Sequence, residues 1–414
     1  MVDLPAGKTA VDSKVIFVLK RHPNGEILKY KARLVARGFS QRPGEDYDET
    51  FASVTKPPSV RLLLALVAQE GWEAHVCDVN NAFLNAPLTE EIYLQQPKGM
   101  DDGSGKVYRL LKALYGLKQA PRLWNEQLGK HLESHGFQRS DADDALYLLL
   151  GPRKGDVCFV PVWVDDLLLV SNSERGVAHA KQVLREGFSI KDLGPVATYL
   201  GMQVSRDRNR GTLDITLEAY ISGLSSRFAP LLQEETGRCQ TPMSPEVLSK
   251  MRKGPLGKDE AAPVERTEDQ GALGCLSFCA NTARPDLTFT VSVLGQAAAD
   301  PRMIHMRAMG RALKYLIKTK GMGLRYSRGQ GQGASLVVGY TDSDWAGEPN
   351  GESRAAYVFM AAGAALSWYS KKLGSIGAST AEAEYKALSQ GTKEAIWFRR
   401  LLESLHMPSS PIPI

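Results

Sequence analysis

The apolar positions of this chain change period along its length. Ser59–Gln69 (SVRLLLALVAQ) is apolar on nearly every side, which predicts a buried helix begun after Pro57-Pro58 with Ser59 as N-cap. Val15–Leu19 and Ile27–Val35 flank Pro23-Asn24-Gly25 and predict a β-hairpin. His75–Val79 predicts a strand followed by a second helical stretch. Lys106–Leu114 predicts a short amphipathic helix, and Pro121–His135 a longer one with Leu123, Leu128 and Leu132 among its apolar positions. Val157–Val164 and Leu167–Val170 are two β-prone runs separated only by Asp165-Asp166. Thr198–Val204 and Leu213–Leu217 predict a further hairpin across a charged turn, and Gln233–Asp269, rich in Pro, Gly and charge, a mobile connection. The last segment predicts three strands, Leu336–Thr341, Ala356–Met360 and Ala365–Tyr369, then a helix from Ser379 to the neighbourhood of Leu405, with Ser379 or Thr380 as N-cap.

Composition narrows the class. The 414 residues leave room for two to four domains, and 43% hydrophobic with 23% charged residues excludes wholesale disorder. Five cysteines without a CxxC pair exclude a disulfide scaffold and point to a reducing compartment. Met1–Asp12 lacks the apolar stretch of a signal peptide, and the longest apolar-rich stretch, Ala355–Tyr369, falls short of the ~20 residues a membrane helix needs. The expected location is therefore intracellular, in cytoplasm or nucleus, with no membrane contact.

The net charge is only +5, but its distribution is uneven. Lys14–Arg42 holds eight basic residues against one acid, Glu26. Arg302–Arg328 holds eight basic residues and no acid; Arg307, Arg311, Lys314 and Lys318 share one helical face, and Met309, Leu313 and Leu316 fill another. Each block is either a solvated surface or a cationic one for phosphates, and uncompensated stripes favour phosphates.

Candidate chemistry centres on Val160–Val170 (VPVWVDDLLLV), where two carboxylates interrupt an apolar run. Burying unpaired carboxylates is costly, so Asp165 and Asp166 belong at the tip of a tight hairpin, paired with cations or holding metal. Mg²⁺ prefers such oxygen ligands and leaves positions open for substrate phosphates. The competing reading is an exposed acidic turn. Asp78, ending the strand Ala74–Val79, completes a three-carboxylate set able to hold two metals. His131 and His135 lack the H-E-x-x-H order of a zinc helix, and Asp141, Asp143 and Asp144 read as an acidic turn without apolar enclosure. Asp342 and Asp344 after a strand, with Glu382 and Glu384 opening the next helix, read equally as a metal pair or as an acidic loop and a helix start.

Ordered motifs then add up to a family. Tyr30–Gln41 (YKARLVARGFSQ), Asp46–Phe51 (DYDETF), Asp78–Asn85 (DVNNAFLN), Leu114–Trp124 (LYGLKQAPRLW), Val164-Asp165-Asp166, Tyr199–Met202 (YLGM), Arg284–Leu287 (RPDL), Gly339–Gly347 (GYTDSDWAG), Ser367–Lys372 (SWYSKK) and Ser379–Ala387 (STAEAEYKA) resemble the reverse transcriptase and ribonuclease H region of copia-type retrotransposon polyproteins. The likeness runs from Asp12 nearly to the last residue. It departs at Trp163, where the family has Tyr, at Ala86, where it has Gly, and at Lys14-Val-Ile-Phe, where it has Trp.

The resemblance implies an α+β, right-hand polymerase whose palm is a ferredoxin-like antiparallel sheet with helices. The implied division is fingers and palm at 12–197, primer-grip hairpin and thumb-like segment at 198–255, connection with the basic helix at 256–334, and a truncated ribonuclease H-like domain at 335–414. It implies an RNA-directed DNA polymerase, with Asp78, Asp165 and Asp166 binding two Mg²⁺. Lys31, Arg33, Phe83, Tyr115, Gly116 and Lys118 would meet the incoming deoxynucleoside triphosphate and nascent pair, and Leu200, Gly201 and Met202 would grip the primer. Arg307, Arg311, Lys314 and Lys318 would lie along the backbone. The implied partners are RNA template, DNA primer and RNA–DNA hybrid. Asp342 and Glu384 match two ribonuclease H carboxylates, but the chain ends before the strand carrying the next, so no ribonuclease H activity is expected. A second reading stays open: a catalytically decayed retroelement fragment that only binds nucleic acid.

Overall fold

A computed structural model describes the chain except residues 22–25, 152–154, 234–238, 255, 265, 331–334 and 409–410. The expected Pro23-Asn24-Gly25 turn thus lies outside the described residues; the strands beside it, Ser13–Arg21 and Ile27–Ala36, pair antiparallel as the pattern predicts.

A six-stranded antiparallel sheet forms the first half, ordered Ile190–Pro195, Glu73–Val79, Asp166–Ser171, Val157–Trp163, Leu146–Leu150, Phe137–Arg139. Its first four strands, with the helices Ala120–Ser134 and Glu174–Gly187, run β-α-β-β-α-β along the chain in the ferredoxin-like spatial order 4-1-3-2. Both faces are covered, which is why the strand sequences are continuously apolar. Cys77, Val79, Cys158, Val160, Leu167 and Leu169 pack with Trp124, Leu128, Val177 and Leu184 of the two helices. The alternate residues Ala74, Val76, Phe159, Leu168 and Val170 join a second core. That core contains the helix Pro57–Glu70 and a second antiparallel sheet, Thr198–Tyr199, Met202–Asp207, Thr212–Thr216 and Leu324–Ser327.

The fourth strand of this second sheet comes from the stretch assigned to the connection. Its path passes the helices Arg266–Thr282, Thr288–Gln296 and Met303–Lys318, which pack together. Arg284 is buried at their junction; it donates to both Asp286 oxygens and to the Thr319 carbonyl, and Asp286 also accepts from Tyr315. The last segment is a three-stranded meander, Val338–Asp344, Glu352–Ala361 and Ala364–Ile376, covered by the helix Thr380–Ser404. The edge of Val338–Asp344 meets the C-terminal tail where the Gly339 amide donates to Pro413.

Several local expectations fail for nonlocal reasons. Lys106–Leu114 forms no helix: Leu110 and Ala113 donate to Ile92 and Ala86, and only Tyr108–Arg109 is a strand, against Tyr93–Leu94. The helix expected after Val79 is one 3₁₀ turn, Ala82–Asn85. Within the expected mobile connection, Pro245–Lys253 is a helix. The helix Pro57–Glu70 begins with Lys56 as N-cap and the two prolines in its first turn. Ser59 instead donates to Asp143 at 2.6 Å. Asp143, read as an unenclosed acid, is 2% exposed and also accepts from Thr55 Oγ1, the Lys56 amide and the Ala145 amide.

The long-range joint is Arg61, 4% exposed within that apolar helix. Its guanidinium donates to the Leu366 carbonyl at 2.6 Å, to Asn281 at 2.8 Å and to Thr282 at 3.0 Å, and lies 4.1 Å from the Trp368 ring centre. Asn281 and Thr282 end a helix whose last carbonyls lack intrahelical donors. Leu366 sits at a register shift between Glu352–Ala361 and Ala364–Ile376, where Phe359 pairs Ser367 and Met360 pairs Ala365. Replacing Arg61 with Met roughly keeps volume and strands one buried and two part-buried acceptors. Urea unfolding of R61M is expected to show a loss of roughly 2–4 kcal/mol with an unchanged slope.

Candidate functional site

The two central strands of the first sheet carry the candidate site at one end. Val164-Asp165 forms a two-residue turn closed by the pair Trp163 and Asp166. Val164 has φ 56°, a left-handed value costly for a β-branched residue. Two hydrogen bonds hold the turn in place. The indole N–H of buried Trp124 donates to the Val164 carbonyl at 2.6 Å, and the Val79 amide donates to the Asp165 carbonyl at 2.8 Å. Trp124 lies in the motif Leu114–Trp124, but its task is invisible in sequence because its partner is forty residues away.

Asp78 stands directly opposite Asp166 across the paired strands, with Asp165 beside it on the turn. Asp166 is half-buried, and its carboxyl is pushed up to about 6, first by burial and then by the negative charges of Asp165 and Asp78. Among the described residues no three His, Cys, Asp or Glu side chains form a ready-made metal cluster. The donor chemistry nevertheless fits a hard divalent cation: three carboxylates at one end of two paired strands and their turn, with repulsion that a cation would relieve.

Other expected residues join this end. Phe83 meets Tyr115 edge-on at 4.5 Å, and the Arg33 guanidinium lies 5.3 Å over the Tyr115 ring. The Tyr115 phenol is raised by burial and then by Asp165, with Arg33 opposing. Gly116 has a backbone role: at φ 94°, a Cβ there would collide with the Ala36 carbonyl oxygen. That close approach lets Ala36 donate to Tyr115 and Gly38 to Gly116, fixing the hairpin to the turn that precedes the helix Ala120–Ser134. Lys118 donates instead to the Tyr47 hydroxyl at 2.8 Å.

A cleft of about 500 Å³ opens beside Asp78, lined by Leu28, Lys29, Lys31, Asn80, Lys191 and Leu193. Of its three lysines the sequence singles out Lys31 alone; Lys29 and Lys191 join it only in the fold. Lys191 is the cross-strand partner of Asp78 on the other flank. Finding it requires knowing that Ile190–Pro195 pairs with Glu73–Val79.

Leu200 and Gly201, both at positive φ, form the two-residue turn between Tyr199 and Met202. Leu200 and Met202 share an apolar cavity of about 420 Å³ with Trp163 and Phe278, so this turn lies beside the carboxylate hairpin. The basic helix is less open than its pattern suggests. Arg307 and Lys318 are exposed, but Arg311 and Lys314 are half-buried among packed helices. Asp342 and Glu384 are both exposed; their strand and helix meet at Thr341 and Gly391, about two turns beyond Glu384.

The family described as reverse transcriptase (RNA-dependent DNA polymerase) matches residues 1–245. The chain is 34% identical over 408 residues to the Pol polyprotein of transposon TNT 1-94 from Nicotiana tabacum, covering 98% of this chain and 30% of that protein. It is 34% identical over 413 residues to that of transposon RE1 from Arabidopsis thaliana, covering 99% and 27%. A putative transposon Ty5-1 protein of Saccharomyces cerevisiae is 35% identical over 321 residues, covering 77% of this chain and 99% of that protein. The chain thus spans under a third of the two plant polyproteins. A crystal structure of prototype foamy virus protease–reverse transcriptase aligns with TM-score 0.25 and 11% identity, over 94% of this chain and 43% of that one.

The raised Asp166 carboxyl gives a signed prediction. A carboxyl whose folded value lies above its unfolded one loses stability as pH rises from about 4 through about 6. With chelator present, Asp166→Asn should melt above wild type at pH 8, and the gap should close near pH 4. An equal gap at both values would place the effect outside this ionisation.

Proposed function

The chain belongs to the reverse transcriptase (RNA-dependent DNA polymerase) family, in its copia-type retrotransposon branch, and we propose that it extends a DNA primer on an RNA template. One observation carries this reading: Asp78 faces Asp166 across two strands, with Asp165 on a doubly held turn beside a lysine-lined cleft. In this proposal Asp78, Asp165 and Asp166 hold two Mg²⁺ ions. Bound there, the ions would supply charge neutralisation and orientation for in-line phosphoryl transfer.

The chain's own groups do the positioning. Lys29, Lys31 and Lys191 take the charge of a deoxynucleoside triphosphate entering the cleft. Phe83, packed on Tyr115, forms the wall below the sugar, and Arg33 closes over Tyr115. The Leu200–Met202 turn holds the primer end beside Trp163. Exposed Arg307 and Lys318 meet the phosphate backbone of template–primer or RNA–DNA hybrid, reading charge and not sequence. In this scheme residues 12–197 are fingers and palm, 198–255 primer grip and thumb, 256–334 connection, and 335–414 a ribonuclease H-like unit to which we assign no cleavage step.

Primer extension on poly(rA)·oligo(dT) with Mg²⁺ tests this. Wild type should extend, and Asp165→Asn/Asp166→Asn should fall to background while keeping salt-dependent template–primer binding. Binding without extension by folded wild type would favour the decayed-fragment reading. Lys191→Ala should raise the KM for the nucleotide about tenfold, equivalent to ~1.4 kcal/mol, with the template–primer affinity unmoved.

A further inference from the structure

Tyr199 is 2% exposed at the end of the strand Thr198–Tyr199, and its hydroxyl has no hydrogen-bond partner among the described residues. Buried hydroxyls without partners are rare and costly, and Phe would fill the same space without that cost. The surroundings suggest what the hydroxyl is for. Along Asp166–Ser171, side chains alternate between the two cores, which sets Asp166 on the same face as Leu168 and Val170. Those two share the core that holds Tyr199. Leu200, the next residue in the chain, lines one cavity with Trp163, the strand partner of Asp166, so Tyr199 lies near the carboxylate end of the strand.

Two carboxylates, Asp166 and Asp143, act on the phenol after burial itself, and both raise it. They are not equivalent. Asp143 already accepts from Thr55, Lys56, Ser59 and Ala145. Among the described residues Asp166 has only its backbone pairings with Asp78 and Trp163, and Asp165 and Asp78 bring negative charge to it.

We propose that Tyr199 is a positioning residue for Asp166, its hydroxyl donating to that carboxylate in the cation-bound protein and so fixing which oxygen faces the ion. Carboxylates that hold metals are generally oriented by such outer hydrogen bonds. The inference rests on the polymerase reading only for the identity of the cation's use. The orientation of Asp166 can be measured without turnover.

Tyr199→Phe removes the hydroxyl alone. Three measurements on the full chain decide the matter: melting in chelator, Tb³⁺ luminescence excited through tryptophan with Trp163 closing the same turn as Asp166, and steady-state extension. Asp165→Asn/Asp166→Asn serves as the Tb³⁺ blank. The expected Y199F protein melts at or above wild type, needs several-fold more Tb³⁺ for half-saturation, and loses kcat with the template–primer KM unchanged. Wild-type Tb³⁺ half-saturation in Y199F would overturn the proposal. A clearly lower melting point would overturn it too, by showing that the hydroxyl has a structural partner. Wild-type protein that binds Tb³⁺ but never extends a primer would count against the polymerase reading, while the Tb³⁺ comparison would still decide the role of Tyr199.

Discussion

A guanidinium taken out of water is expensive unless its donors find acceptors, and Arg61 places three hydrogen bonds on acceptors that themselves need donors. Asn281 and Thr282 offer the orphan carbonyls of a helix C-terminus, where a cation is also favoured by the helix dipole. Leu366 offers a carbonyl freed by a strand irregularity. Burial pulls the guanidinium down only to about 10, so it remains charged at neutral pH. The helix carrying Arg61 also packs the back of the second core, including Leu168 and Val170 below Asp166. One side chain thus ties the C-terminal meander, the helical middle and the sheet bearing the carboxylates. This is why residues far beyond 245 belong to the same packing problem as the candidate site.

The sequence makes plain whatever depends on neighbours in the chain. Alternation and apolar run length place the hairpin at Ser13–Ala36, the strands around Asp165 and Asp166, and the closing helix of the last segment. What depends on distant partners is invisible. Arg61 looks like one polar interruption in an apolar helix, because its acceptors lie more than two hundred residues away. Asp143 looks like an exposed acid because the groups that enclose it, Thr55 to Ser59, come from another motif. Lys106–Leu114 has a helical pattern, yet its amides are claimed by Ala86 and Ile92. In each case tertiary hydrogen bonding overrides the local pattern.

The same limit explains the basic helix. A periodic stripe of Arg307, Arg311, Lys314 and Lys318 identifies a face, but not whether neighbours cover it. Long basic side chains can bury their stems and keep their heads at the surface. Here the helix is walled by several others, so its middle pair is half covered while its ends stay open.

The candidate site breaks local rules that the rest of the chain obeys. Val164 sits at a φ its branched side chain disfavours, and three carboxylates crowd one strand end. Neither feature would persist without outside support. Trp124 holds the turn from the helix side, Val79 from the neighbouring strand, and Asp143 anchors the start of the helix Pro57–Glu70 just below. A sheet covered on both faces supplies the rigidity; the instability is confined to its one open end. In our proposal the Tyr199 hydroxyl, buried without a partner among the described residues, and the raised Asp166 carboxyl belong to one arrangement. Each costs stability in the protein alone, and in our proposal a bound cation relieves both, by neutralising the carboxylates and bringing Asp166 into a hydrogen bond with the hydroxyl. Under that proposal the ligand completes the site, on a scaffold that the hydrogen bonds of Arg61 help hold together.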